Sequence, residues 1–363
     1  MGATSGKTLP ARGVKLFGAK TVALALTALI ALACAMAYAG TAGKQAPTRL
    51  YVLSIGYGDA LIIENDGMFG IIDSGESADS PDGSDSRYPL RDGIAQGNGV
   101  EGYLFPLLDE LGVSADKGNL QFYIGTHPHS DHIGTAAEVI EKYRPRFVYT
   151  PYYDDSMMNN EDALWDNQYV YDNLVNAAHG CGSVLIQEYD PNADPYPAPD
   201  GNGNAVGNPN FKLGQADISI LGFSKGEALP PGDMGDANEI SYEVLLKCNG
   251  YRTFLAGDVD DIGPSEHIIA KTVGEVDVLK LGHHGNEGAG RADFIHALSP
   301  AYAIQTGSEY ALAGETTRAL MDEGAKYYPT SEAVDEHLPA LVFIYDEYGI
   351  TVNMEPYELG LWG

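Results

Sequence analysis

Cysteine is scarce in this 363-residue chain: Cys34, Cys181 and Cys248 are the only three. So few thiols exclude a disulfide-stapled scaffold, and the wide separation of Cys181 and Cys248 excludes a zinc knuckle, although the two could pair in an oxidising compartment. Basic residues are also few, 21 Lys and Arg against 51 Asp and Glu. That deficit excludes the positive patch that a phosphate backbone requires and makes long nucleic acid a poor substrate class. Long hydrophobic runs are lacking except for one, Thr21 to Ala39. It follows Lys7, Arg12, Lys15 and Lys20, contains no acid and ends in Ala37-Tyr38-Ala39. A basic region, an apolar region and an A-x-A site predict a secretory leader cleaved after Ala39. The alternatives are lipidation at Cys34 and an uncleaved anchor, since such a run can span a hydrocarbon layer of about 30 Å. Loss of the leader's four basic residues leaves 17 against 51 acidic ones, a net charge of −34. The expected location is extracellular, or the outer face of the cytoplasmic membrane if the segment stays attached.

The full chain is 44% apolar, enough for a substantial core. After a polar linker over 40–48, "RLYVLSIGYGDALIIENDGMFGIIDSG" reads as three strands of an antiparallel meander, with Asp66-Gly67 a tight-hairpin signal. Residues 76–99 read as a surface loop, "VEGYLFPLLDELGV" as a helix, "LQFYIGTHPH" as a buried strand and "IGTAAEVIEKY" as helical. Further insertions are expected near 154–171 and 190–210. "SYEVLLKCNGYRTFLAGD" predicts a second hairpin at Asn249-Gly250, and "ALVFIYDEYGITVNME" a last one. Two meanders with helices between and after them predict two sheets covered by helices, an α/β four-layer αββα sandwich over residues 49–356, with a tail at 357–363.

Histidine is not abundant either, yet three of the nine fall within "GTHPHSDHIG". On an extended segment His127 and His129 point to one side, because side chains alternate with period two. Asp131 and His132 then lie on the turn into the helix. Imidazoles and a carboxylate suit zinc, with manganese or iron as alternatives, but a catalytic site needs further ligands. Downstream strand ends supply them: Asp258 in "FLAGD", and His283 or His284 in "VLKLGHHG". A carboxylate at Asp258 could bridge two metals.

In their order and context, "THPHSDHIG", "LSIGYGDALIIE…GIIDSG", "FLAGD" and "VLKLGHHG" resemble the metallo-β-lactamase superfamily. Within it they resemble in particular the branch typified by the extracellular domain of competence DNA-uptake proteins. The resemblance covers about Arg49 to Glu355 and implies the αββα fold with a binuclear metal site at one sandwich edge. It implies that His127 and His129 bind a first metal and Asp131 and His132 a second. Asp258 would bridge the two, and His283, which ends its strand, would complete the second site ahead of His284. A histidine common in the family between the HxHxDH run and the bridging Asp is missing. The only histidine in that interval, His179 in "NLVNAAHGCGSV", reads as the end of a helix capped by Gly180. Asn238 in "DANEISYEVLL" stands in the corresponding segment, which leaves a single-metal site open.

Metal-activated water implies hydrolysis, with Asp131 or Asp258 accepting the proton. The resemblance favours a phosphoester of modest size. Tyr152, Tyr153, Trp165, Tyr169 and Tyr171 belong to an aromatic, acidic segment that could lie beside the site as a lid, and Arg291 could meet an anionic group. Two other classes remain: a cell-surface binding protein with a structural or vestigial metal site, and a competence-type nuclease, against which the charge balance argues.

Overall fold

The structure, a computed structural model, describes residues 45–94, 99–222, 232, 234–260, 265–286, 288–308 and 312–360. The expected leader lies outside the described residues. Strands, numbered in chain order, form two sheets. The first contains β1 (Thr48–Leu53), β2 (Ala60–Asn65), β3 (Met68–Ser74), β4 (Leu120–Ile124), β5 (Phe147–Tyr149), β6 (Val184–Tyr189), β7 (Asn204–Gly207), β15 (Ala340–Asp346) and β16 (Gly349–Val352). The second contains β8 (Asn210–Leu213), β9 (Ala216–Leu221), β10 (Glu243–Cys248), β11 (Tyr251–Leu255), β12 (Val278–Lys280), β13 (Tyr302–Gln305) and β14 (Lys326–Pro329).

The expected hairpins have a visible cause. Asp66-Gly67 and Asn249-Gly250 each place both residues at positive φ, 55° and 73°, then 52° and 88°. Such two-residue turns match the twist of antiparallel strands, and they join β2 to β3 and β10 to β11. Each sheet passes from antiparallel strands to a parallel run, β3-β4-β5-β6-β7 in the first and β11-β12-β13-β14 in the second.

Alternation along the strands sets the layers. On β2, Leu61 and Ile63 face the space between the sheets, where they meet residues such as Phe211, Ile218 and Val244. Ala60 and Ile62 face the other way, toward Leu104, Val139 and Leu174 of the helices α1 (Glu101–Leu111), α3 (Ala136–Tyr143) and α4 (Asn167–Cys181). The second sheet behaves alike. Leu246 points inward, and Leu245 packs outward with Phe294 and Leu320 of α6 (Ala292–Leu298) and α7 (Gly314–Glu323). The result is the αββα sandwich, with Ala46–Gly363 as one compact unit.

Several local expectations change. Tyr169 and Tyr171 lie on α4 rather than in an irregular insertion, because the stretch before it, with turns at Asp155–Met157 and Glu161–Ala163, is short. Part of the 190–210 insertion forms β7, which adds to the edge of the first sheet. The helix carrying His179 runs past Gly180 to Cys181, and Gly182, at φ 74°, caps it. Cys181 and Cys248 are free thiols, one packed against the helix side of the first sheet and one between the sheets. Among the described residues, no helix is long and apolar enough to cross a membrane.

Candidate metal centre

Parallel strands deliver their following loops to the same edge, and ligand sites in open α/β sheets lie beyond such carboxyl ends. β4 runs into Thr126 and His127, β11 into Asp258, and β12 into His283 and His284. A backbone hydrogen bond from Tyr242 to the Thr126 carbonyl, 2.9 Å, ties the two sheets' loops together. Ser130–Ile133 forms the short helix α2 after the turn. Glycine permits the close approaches. A Cβ on Gly58 (φ 133°) would lie 2.5 Å from the Asp131 carbonyl oxygen, and one on Gly282 would lie 2.1 Å from that of Val259.

Asp131, His132, Asp258 and His284 each offer a ligand atom, all within 4.8 Å of one another. Asp258 Oδ2 lies 3.1 Å from His132 Nε2 and 3.2 Å from His284 Nε2, and Asp131 Oδ2 lies 3.2 Å from the latter. Beside this group His127 Nε2 faces His129 Nδ1 at 3.0 Å and Asp258 Oδ2 at 3.9 Å. Asp258 therefore stands between a four-donor group and a pair of histidines.

The ring orientations are held from behind. His132 Nδ1 meets Asp73 Oδ2 at 2.8 Å, and His284 Nδ1 meets Thr306 Oγ1 at 3.0 Å. His127 Nδ1 meets Thr126 Oγ1 at 3.0 Å. Each contact leaves Nε2 directed at the cluster, the outer-partner arrangement that orients metal-binding imidazoles. His129 is turned over, with Nδ1 inward and Nε2 at 3.5 Å from Asp236 Oδ1. Lys280, fully buried, pairs with Asp59, donates to the Gly257 carbonyl at 2.9 Å and lies 3.7 Å from Asp258 Oδ1.

Burial disfavours charge, but Asp258, Asp131 and Asp73 outweigh it and hold His132 well above the usual imidazole range. His284 is raised in the same way, chiefly by Asp258. Those two imidazoles in turn overcome burial at Asp258 and hold its carboxyl well below the usual range. His127 goes the other way: burial, reinforced by His132 and His129, depresses it strongly. The four-donor group thus favours charged imidazoles, while burial favours the neutral ring at His127. Facing imidazole nitrogens, a shared carboxylate oxygen and a buried Asp258 Oδ1 that accepts no hydrogen bond fit a divalent metal, and the mixed N/O set suits zinc, manganese or iron.

His283 is the main correction. It ends no strand, since β12 stops at Lys280 and Gly282–Gly285 is a turn with His283 and His284 at φ 43° and 57°. Strand alternation fails there, and His284 enters the cluster while His283 turns toward Asp260, 3.4 Å away. His179 pairs with Asn204 Oδ1 at 3.0 Å, outside the site. Asn238 is 4% exposed and lines a cavity of about 300 Å³ over the cluster, together with Trp165, His129, His283 and Asp258. The other aromatic expectations fail: Tyr153 and Tyr171 are buried in the helix-side core, and Tyr152 is exposed outside the cavity lining. Arg291 precedes α6 and lines a different hollow with Glu315 and Thr316.

Sequence reasoning missed Asp59, Asp73, Lys280, Glu76, Asp166 and Asp236. Asp59 in "GYGD" and Asp73 in "IIDSG" had a signal, a carboxylate at a strand end. Asp236 had one too, a D-x-x-E capping box that the structure contains at Asp236 and Glu239.

No protein-family model and no curated protein matches the chain. Similar solved structures include the metallo-beta-lactamase fold protein YhfI from Bacillus subtilis, 12% identical over 83% of this chain and 100% of that one, TM-score 0.44. A mutant of the CmlA beta-hydroxylase is 13% identical over 77% of this chain and 52% of its own, TM-score 0.42, so this chain spans about half its length. The short form of human tRNase Z is 13% identical over 73% and 94%, TM-score 0.39. The layer order and the two mixed sheets are those of the four-layer αββα sandwich expected from the sequence.

Proposed function

We propose that the protein is a secreted metal-dependent hydrolase that acts on a phosphoester of modest size through two divalent ions, zinc first. The convergence of Asp131, His132, Asp258 and His284 within 4.8 Å carries this reading. Those four would hold one ion, and His127 and His129, with Asp258 between, the other. Bound there, a metal supplies Lewis acidity and lowers the pKa of a coordinated water toward about 7. The chain supplies the rest. Asp131, whose side chain is 35% exposed, is the carboxylate placed to take a proton on the cavity side, while Asp258 stays buried as the shared anchor. Trp165, Glu76, Gly93 and Ile94 form part of the cavity wall. The phosphoester preference rests on the motif resemblance to the metallo-β-lactamase superfamily, and secretion on the leader pattern.

The test is metal content of the purified mature protein by mass spectrometry, with hydrolysis of bis(p-nitrophenyl) phosphate in zinc or manganese. About two metals per chain with turnover is the expected result. No turnover after metal is restored would overturn the hydrolase reading and leave the surface binding protein.

A further inference from the structure

The cavity over the metal centre is walled by acids. Glu76, Asp166 and Asp236 line it beyond the cluster carboxylates, and among the described residues no lysine or arginine does. Asp166 is only 6% exposed, and Ser130 Oγ donates to Glu76 Oε2 at 3.0 Å. Burial and the nearby Asp166 push the Glu76 carboxyl up to about 7, as expected of acids with no cation between them. These acids do not converge as metal ligands. Among the described residues, neither group able to hold an ion contains Glu76, Asp166 or Asp236.

Two further features of the same wall point to a ligand. Asn238, 96% buried, lines the cavity with a carboxamide Oδ1 that has no partner, an acceptor waiting for a donor. Trp165 is held there in a strained backbone at φ 35°. Its carbonyl accepts from Arg91 at 3.2 Å, its ring centroid lies 5.1 Å from that of His129, and Gly93 leaves room for the indole.

We propose that this wall is a recognition subsite for a substrate ammonium group bearing N–H, with Glu76 and Asp166 supplying charge, Asn238 Oδ1 accepting a hydrogen bond and Trp165 offering aromatic surface. The inference rests on the hydrolase reading and narrows its substrate class to a phosphoester whose alcohol portion carries a primary ammonium. Anionic phosphate at the metals and cationic nitrogen at the acids would give the substrate two opposite anchors.

The test compares two esters differing in one group, 2-aminoethyl and n-propyl p-nitrophenyl phosphate, with the zinc-loaded full chain. The expected kcat/KM ratio is about tenfold or more in favour of the aminoethyl ester, falling to about one in the Glu76→Gln, Asp166→Asn double variant and part of the way in Glu76→Gln alone. A wild-type ratio near one, or a ratio unmoved by the substitutions, overturns the subsite. If neither ester is turned over, the phosphoesterase reading fails by itself and binding decides the subsite. Trp165 and Trp362 are the only tryptophans, so Trp362→Phe leaves one reporter. n-Propylammonium should then change its emission saturably at pH 7 and n-propanol should not; no change with the amine overturns the proposal.

Discussion

The two halves of the metal centre are built differently. Asp131, His132, Asp258 and His284 form a closed group whose imidazoles are braced by Asp73 and Thr306 and whose shared carboxylate is backed by Lys280. His127 and His129 form a pair beside the shared Asp258, 3.9 Å from His127 Nε2, and they lie beside the cavity lined by Asn238 and Asp236. A braced four-donor group loses little freedom when a metal binds. The open pair must recruit water or substrate to complete its coordination. On the two-ion reading proposed above, the first half would retain its metal and the second would be the one to exchange with substrate.

The largest expected effect tests what the halves share. Asp258→Ala removes the carboxylate common to both, and activity should fall on the order of a thousandfold, the equivalent of several kcal/mol of charge stabilisation, with circular dichroism unchanged. Undiminished turnover would remove the centre from the account. Next comes the bracing. Lys280→Met strands Asp59 in a fully buried position and should cost about 3–5 kcal/mol in chemical denaturation. The Asp59→Asn, Lys280→Met double variant should recover much of that loss. Third, His284→Ala should weaken zinc binding by more than about tenfold, whereas His283→Ala should leave it nearly intact. The reverse order would restore the strand-end assignment.

The smallest effect concerns the cavity wall. Glu76 has its carboxyl raised from the ordinary 4.5 to about 7, so the folded state binds more protons than the unfolded one between those values. Stability contributed by this site is therefore highest below pH 4.5 and is lost as pH rises through 7. Glu76→Gln should raise the melting temperature at pH 8 and leave it almost unchanged at pH 4.5. A shift of equal size at both would mean that packing, not charge, governs the residue.

These contrasts also mark what was legible in the sequence. The hairpins at Asp66-Gly67 and Asn249-Gly250, the alternating strands and the order of layers follow from local rules that need no tertiary information. The clustering of His132 with Asp258 needed only the assumption that strand ends converge. Choosing between His283 and His284 needed the φ of two residues inside a turn, which a period-two pattern does not carry. The Lys280–Asp59 pair was invisible for another reason: it joins the end of β12 to the loop before β2, far apart in sequence, and a lone lysine in an apolar strand carries no sign of its partner. Tyr152, Tyr153 and Arg291 were read as recognition groups from their chemistry alone, and packing sent them elsewhere.

The most direct test of the graded centre is a calorimetric titration of zinc into the metal-free protein and into its His127→Ala, His129→Ala double variant. The account predicts two binding events in the first and one, the tighter, surviving in the second. Loss of all tight binding in the variant, or survival of the weaker event alone, would contradict it.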